Sequence, residues 1–322
     1  MTVTVISTGG TIAPTADGDE GANPDLWADD LVAAVPQLPC EIETHDFSTI
    51  PSPHFTVGGM VDLVDTIEHL DERSDVAGIV VTQGTDILEE TAFFVDWCYS
   101  GATPVVFTGA MRNPSLASPD GPINLLAGVR TALTEAVGSQ GVFVCLNKRV
   151  HAARDVTKVH SMNVDTFRSP ERGPLGVHDE DRIRWLRRPD RTRPVLDPDP
   201  DRITNAVGAV TVTADMPPAH IPPESACAAL CIAATGAGHI PPSIIPRLEA
   251  YTEADTPLVA TTRCPEGRLA RSTYSFEGSE RTLEELGCLY SSRNLQKTRI
   301  GTIVALAADA LDTVYDRPDD SL

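Results

Sequence analysis

Apolar residues in this chain fall in short runs separated by stretches of helical spacing. Residues 3–6 and 77–82 are such runs, and each reads as a buried strand. Val57, Val61, Val64 and Ile67 lie on one face of a helix, and a shorter helix over 26–35 stops before Pro36. The alternation continues with a helix over 87–99, a strand over 104–108, a helix over 123–137 and a strand over 141–146. Strand and helix in turn predict an α/β fold with a doubly wound parallel sheet. The segment 187–202 breaks the pattern, with Pro189, Pro194, Pro198 and Pro200 among charges. Beyond it, strands are expected over 207–213, 226–234 and 257–262, with helices over 243–251, 281–287 and 296–308. The expected organisation is an N-terminal α/β catalytic domain over 1–186, a linker over 187–204 and a smaller C-terminal α/β domain over 205–322. At 322 residues, two cores are the natural expectation.

Composition narrows the class. With 41% hydrophobic and 22% charged residues the chain is globular, and no apolar stretch has the length of a membrane span. The first residues enter strand pattern at once, without a basic or apolar leader, so a cytoplasmic location is expected. Seven cysteines, an odd number, fit a reducing compartment, and Cys227 and Cys231 sit in an apolar run as core residues. The net charge of −21 comes from 46 acidic against 25 basic residues. That field repels nucleic acid and anionic membranes, so neither is an expected partner. Only three of the basic residues are lysines (Lys148, Lys158 and Lys297), and Asp outnumbers Glu 28 to 18. A GC-rich genome accounts for missing lysine but not for the acidity; a haloarchaeal-like, high-salt cytoplasm accounts for both, because salt screens carboxylate repulsion. A lysine that persists in such a chain stands out, and Lys158 sits in a motif.

Three segments carry candidate chemistry: Ser7-Thr8-Gly9-Gly10-Thr11-Ile12-Ala13, Thr82-Gln83-Gly84-Thr85-Asp86 and Asp155-Val156-Thr157-Lys158. The first two follow strands, which puts hydroxyls at carboxyl ends, where open α/β sheets keep their ligand crevice. Threonine, lysine and aspartate together can make a poor nucleophile attack a carbonyl. Each segment has a plainer alternative. Gly9-Gly10 could be an ordinary turn, Asp86 could cap a helix starting at Ile87, and Lys158 could be solvated. A phosphate loop is poorly supported, since neither the spaced-glycine fingerprint nor the Walker lysine is present. Gly236-Ala237-Gly238 fails as a dinucleotide fingerprint because His239, Ile240 and Pro241 follow where a helix should open.

Taken together, these segments resemble the bacterial-type L-asparaginase/glutaminase amidohydrolase family. The resemblance includes Glu89-Glu90-Thr91-Ala92, Phe107-Thr108-Gly109-Ala110-Met111-Arg112, Ser118 with Asp120-Gly121-Pro122, and Asn124-Leu125. It continues through Arg154 to Lys158, Phe167, Ser169 and Gly173-Pro174-Leu175-Gly176, with a fainter echo at Asn294-Leu295-Gln296-Lys297. It implies a two-domain asparaginase-like fold, a homodimer or homotetramer, L-asparagine as substrate, and no metal or organic cofactor. By motif, it makes Thr11 the nucleophile, and Thr85 a second hydroxyl activated by Lys158 and Asp86. Ser48, with Thr49 beside it, would hold the substrate α-carboxylate; Thr85, Asp86 and Ala110 would complete the binding site, with Asp86 taking the α-ammonium. His239 stands where the family often has an asparagine, at a position contributed by a partner subunit. The family's lid usually carries a tyrosine, whereas segment 14–29 has none and Trp27 is its only aromatic residue.

The implied cycle is acyl-enzyme formation with loss of ammonia, then attack by water to release aspartate. Backbone N–H groups at Thr11 and Thr85 would serve the oxyanion. Desolvation favours a neutral lysine and a neighbouring aspartate a charged one, so Lys158 and Asp86 read as a coupled pair. Two alternatives remain. One is the asparaginase-like subunit of a tRNA-dependent amidotransferase, which normally carries an extra domain ahead of the motif that here starts at Thr8. The other is a non-catalytic amino-acid sensor, expected to have lost Thr11, Thr85 or Lys158.

Overall fold

Val3, Val5 and Ile6 are wholly buried because their strand, β1 (Thr2–Ser7), lies inside a sheet. The computed structural model describes residues 2–9, 28–35, 37–112, 116–135, 137, 141–189 and 195–316. By its internal contacts the chain forms two units, 1–195 and 196–322, the division falling within the proline-rich segment.

In the first unit, β1 is followed by α1 (Ala28–Ala33), β2 (Glu41–Asp46), α2 (Val57–Asp71), β3 (Val76–Thr82), α3 (Leu88–Cys98), β4 (Val105–Thr108), α4 (Gly121–Ala132) and β5 (Val142–Leu146). These five strands are mutually parallel. Helices α1 and α4 cover one face and α2 and α3 the other. Val3, Val5, Val80, Val106 and Phe143 pack with Leu31, Leu125 and Val129 on the α1–α4 face. The alternate residues Ile79 and Val81 are equally buried, which is why a strand covered on both faces reads as a continuous apolar run.

After β5 the sheet departs from the parallel expectation. Asn147 and Lys148 both adopt positive φ, 47° and 60°, the requirement of a two-residue hairpin turn. The chain therefore doubles back as β6 (Arg149–Ala152), antiparallel to β5. A small ribbon follows, β7 (Thr157–Lys158) against β8 (Phe167–Arg168), outside the main sheet. Then β9 (Gly176–Asp179) and β10 (Arg182–Trp185) extend the sheet antiparallel. The spatial order is β10-β9-β6-β5-β4-β3-β1-β2, a mixed sheet rather than a parallel one. Strand β2 also escapes the hydrophobic pattern: it is an edge strand, half exposed, reading Glu-Ile-Glu-Thr-His-Asp.

Strand order places the crevice. From β1 the chain crosses to β2 on one side, then back past β1 to β3 on the other. The winding reverses between β1 and β3, and open sheets bind ligands beyond the carboxyl ends at such a point.

The second unit is a parallel four-stranded sheet of β11 (Val207–Thr211), β12 (Ala229–Ala234), β13 (Leu258–Thr262) and β14 (Leu289–Tyr290). Between its strands lie α5 (Ile245–Glu253) and α6 (Glu280–Glu285); α7 (Leu295–Ala307) and α8 (Leu311–Val314) follow, with α7 packed on β11, β12 and β13. Leu230, Ile232, Leu248, Tyr251 and Leu283 form its core. No described helix is long and apolar enough to cross a membrane.

Candidate active site

The strand ends at the switch point are joined by backbone before any side chain enters. Thr8 N–H donates to Thr82 O at 3.0 Å and Gly84 N–H to Gly9 O at 3.2 Å. Gly9 has φ +87°, and a Cβ there would lie 2.5 Å from Ile50 O, so only glycine fits. The hydroxyl of Thr8 is used structurally, donating to Thr82 O at 3.0 Å.

Thr85 and Asp86 occupy the turn between β3 and α3. Asp86 does not cap that helix: Ile87 holds the N-cap position, with no side-chain cap bond. The carboxylate turns to Lys158 instead, whose Nζ donates to Asp86 Oδ1 at 2.9 Å and to Thr85 Oγ1 at 3.0 Å. Groups 72 and 73 residues apart thus meet in one cluster. The amine side chain is covered, at 14% exposure, while the carboxylate opens outward at 61%. An open recess of about 350 Å³ lies over them, lined also by Val159, His160 and Ser161, within the usual size range of small-ligand sites. The amine is in hydrogen-bond reach of the Thr85 hydroxyl, the geometry a general base needs.

The remaining candidates surround this cluster unevenly. Phe47 and Ser48 N–H groups donate to Ser7 O at 2.9 and 3.1 Å, which brings Ser48 and Thr49 to the end of β1. Ser48 Oγ donates to Thr8 O at 2.8 Å. Half-buried Ala110 follows Gly109, where a Cβ would stand 2.5 Å from Gln83 O and 3.2 Å from Thr85 Cγ2. That segment is braced from α4. Asp120, at the N-cap, accepts from Met111 N–H at 3.2 Å and Arg112 N–H at 2.8 Å. Buried Asn124 donates to Gly109 O at 2.9 Å and accepts from Asn147 N–H at 3.0 Å. Thr11 and nearly all of segment 14–29 lie outside the described residues.

Sequence reasoning quoted Asp120 and Asn124 without giving them a role, and it missed Ser52 and His160. Buried Ser52 places Oγ 3.5 Å from Asp86 Oδ2; no local pattern marks it. His160 Nδ1 accepts from Met162 and Asn163 N–H, each at 3.0 Å, which leaves Nε2 as the ring's donor in the neutral form. Its signal is proximity to Lys158 alone.

His239 belongs to the second unit. Its backbone bridges Thr235, and its ring meets Tyr274 edge-on at 4.7 Å and Phe276 at 4.9 Å. Nε2 stands 3.6 Å from Glu280 Oε2. Burial pushes the Glu280 carboxyl up, but the backbone N–H groups of Tyr274, Glu280 and Thr273 and the His239 ring outweigh it and hold it below the ordinary range. The thiols of Cys145, Cys231 and Cys288 are pushed up to about 12, chiefly by burial, which removes them as nucleophiles near neutral pH.

The class that this fold and site define is the amidohydrolases. Comparison with known proteins agrees: the family model for the N-terminal domain of asparaginase matches residues 2–191, and that for the glutaminase/asparaginase C-terminal domain matches 206–313. The chain belongs to the asparaginase family. It is 35% identical over 311 residues to a "Probable L-asparaginase" of Deinococcus radiodurans, covering 94% of this chain and 92% of that one. It is 32% identical over 264 residues to the "Glutaminase-asparaginase" of Pseudomonas aeruginosa, covering 77% and 71%. Among solved structures, the probable cytoplasmic L-asparaginase from Campylobacter jejuni superposes with a TM-score of 0.80 at 27% identity, covering 95% of this chain and 94% of that one.

Proposed function

We propose that this chain hydrolyses L-asparagine to L-aspartate and ammonia through a threonine acyl-enzyme. The observation that carries the reading is the amine of Lys158, within 3.0 Å of the Thr85 hydroxyl and 2.9 Å of the Asp86 carboxylate, beyond the switch-point strands. Such a contact sets a possible base against a hydroxyl, as amide chemistry requires.

In this reading Thr11 Oγ1 bonds to the side-chain carbonyl carbon, the C–N bond breaks, and the nitrogen leaves as ammonia with the hydroxyl proton. Water then adds to the acyl carbon, with Thr85 and Lys158 relaying its proton, and aspartate leaves with Thr11 restored. Asp86, open to the recess, accepts the substrate α-ammonium, and Ser48 and Thr49 meet the α-carboxylate. The Ala110 segment, braced by Asp120 and Asn124, lines the amide end. His239 would serve from the second unit of another copy in a homodimer or homotetramer. A cytoplasmic location is part of the proposal, supported by the resemblance to the "Probable Cytoplasmic L-asparaginase" from Campylobacter jejuni.

The test is ammonia release by the purified protein from L-asparagine, L-glutamine and D-asparagine. Rapid turnover of L-asparagine supports the reading, and none with any amide sinks it. Glutamine turnover would sharpen it, since one methylene is worth only about 1–3 kcal/mol in a pocket.

The charge of −21 supports a high-salt habitat. At about 1 M salt the Debye length falls to roughly 3 Å, which removes most carboxylate repulsion. Mass and turnover followed together during dialysis to dilute buffer should fall in step. A fully active oligomer in dilute buffer would overturn the habitat and leave the chemistry standing.

A further inference from the structure

Lys158 stands on an element too small to hold it. Strand β7 is two residues long and pairs only with β8, also two residues, outside the eight-stranded sheet. Two ladder positions do not fix an amine to within 3 Å of two partners. Val159 N–H donates to Thr166 O at 2.8 Å and extends the pairing, and Asp155 and Val156 N–H donate to Ala152 O at 3.0 and 3.1 Å and tie the first root to β6. The other fixing comes from side chains at the roots.

Both roots are gripped by one residue. Ahead of β7, the Asp155 carboxylate is only 4% exposed, and Arg187 Nη2 donates to its Oδ2 at 3.2 Å. The same Nη2 donates to Gly173 O at 3.2 Å, on the chain leaving β8. Arg187 is itself seated at the end of the sheet. It follows β10, and its N–H and that of Leu186 donate to Leu175 O at 3.3 and 2.8 Å. A second anchor lies between the two: Ser169, just after β8, meets Nδ1 of buried His151 on β6 at 2.8 Å. Arg154 Nε stands 3.9 Å from the same Asp155 oxygen, too far for a hydrogen bond, so Arg187 makes the closer contact.

We propose that Arg187, through its pair with the buried Asp155 carboxylate and its bond to Gly173 O, is a positioning residue that helps to hold the β7–β8 ribbon and so sets Lys158 against Thr85 and Asp86. The assignment rests on the reading of Lys158 as the partner of Thr85. Removing the guanidinium takes a charged hydrogen bond from the buried Asp155 carboxylate and breaks its link to Gly173 O, so the two roots lose their shared tie and the ribbon shifts. A misplacement of about 1 Å at a catalytic group can cost on the order of 100-fold in rate. Among the described residues, Ser48, Thr49 and Ala110, at the ends of β1 and β4, have no bond to this ribbon, so the loss should fall more on kcat than on KM.

The chain's three lysines make the test direct. With 13C at lysine Cε, Lys158 gives one signal beside those of Lys148 and Lys297. Arg187→Gln should lower kcat by about 10–100-fold with KM for asparagine changed less than about threefold. It should also move the Lys158 resonance and leave the other two in place, while Arg187→Lys recovers part of both. Wild-type kcat, or a loss of kcat with the Lys158 resonance unmoved, overturns the proposal. If Arg187→Gln does not fold, Arg187→Lys decides. It keeps the charge but not the shared geometry of the two bonds, so the same pattern is expected at about 3–10-fold; wild-type kcat and an unmoved resonance overturn the proposal there too. A wild-type protein inert toward asparagine would sink the functional reading, and the resonance shift would still decide this one.

Discussion

The parallel half of the first unit and its antiparallel half, which includes the separate β7–β8 ribbon, serve the candidate site by different means. On the parallel side, Thr85 and Asp86 ride on a βα turn whose position follows from ladders on both flanks of β3 and from a backbone bond between Gly84 and Gly9. On the antiparallel side, Lys158 rides on a two-residue strand, and in the proposed reading its placement depends on side chains, Arg187 on Asp155 and Ser169 on His151. Backbone positioning tolerates changes of charge but not of backbone freedom. Side-chain positioning is the reverse. The halves should therefore fail under different substitutions.

The largest effects fall where the halves meet. Thr85→Ala and Lys158→Met should each lower kcat by about 10³–10⁴-fold with the fold intact by circular dichroism, and the double variant should be little worse than either. Thr11→Ala is expected to match them. Additive losses in the double variant would mean that the two halves act separately. Next in size comes the parallel half alone. Gly9→Ala forces a side chain into a conformation at φ +87° with its Cβ 2.5 Å from Ile50 O. Left-handed backbone costs about 1–2 kcal/mol and the clash adds to it, for a total of about 2–4 kcal/mol in urea unfolding, with activity falling alongside. A neutral Gly9→Ala would erase the contrast with Arg187, whose loss should act mainly on kcat.

The same division governs what the sequence disclosed. The strands and helices of the parallel half are legible because β1, β3, β4 and β5 are buried on both faces and read as apolar runs. The second unit is legible for the same reason at β12 and β13. The antiparallel half is not, because Asn147-Lys148 carries no glycine to announce a hairpin, and because β7 and β8 are too short to leave a period. Of the site, Thr85, Asp86 and Lys158 were legible as motif residues, and the structure brings them together. Asn124 and Arg187 make bonds to residues 14 and more positions away, which no local pattern encodes. Arg187 was hidden further by standing among the charges of a proline-rich segment that reads as a linker.

The antiparallel half should also carry a pH dependence that comes from a buried histidine. His178, on β9, is buried against α4, and its Nε2 meets Thr131 Oγ1 at 3.0 Å. Thr131 donates its own proton to Ala127 O at 2.8 Å, so Nε2 is the donor in that contact. A second ring proton would sit on Nδ1, which is buried without a hydrogen-bond partner. Burial first, then the charges of Arg130 and Lys148, lower this histidine from the ordinary 6.5 to about 4. Above about 6.5 the ring is neutral folded and unfolded alike. Between 6.5 and 4 only the unfolded chain takes the proton, so stability falls with pH, and the loss is complete below about 4. The full effect is about 3 kcal/mol. Many carboxylates titrate in the same window, so the measurement is the difference between wild type and His178→Phe in urea unfolding from pH 7.5 to 4.5. The wild type should lose more stability than the variant over that range, by up to about 2–3 kcal/mol. Parallel curves would show that His178 is not held neutral.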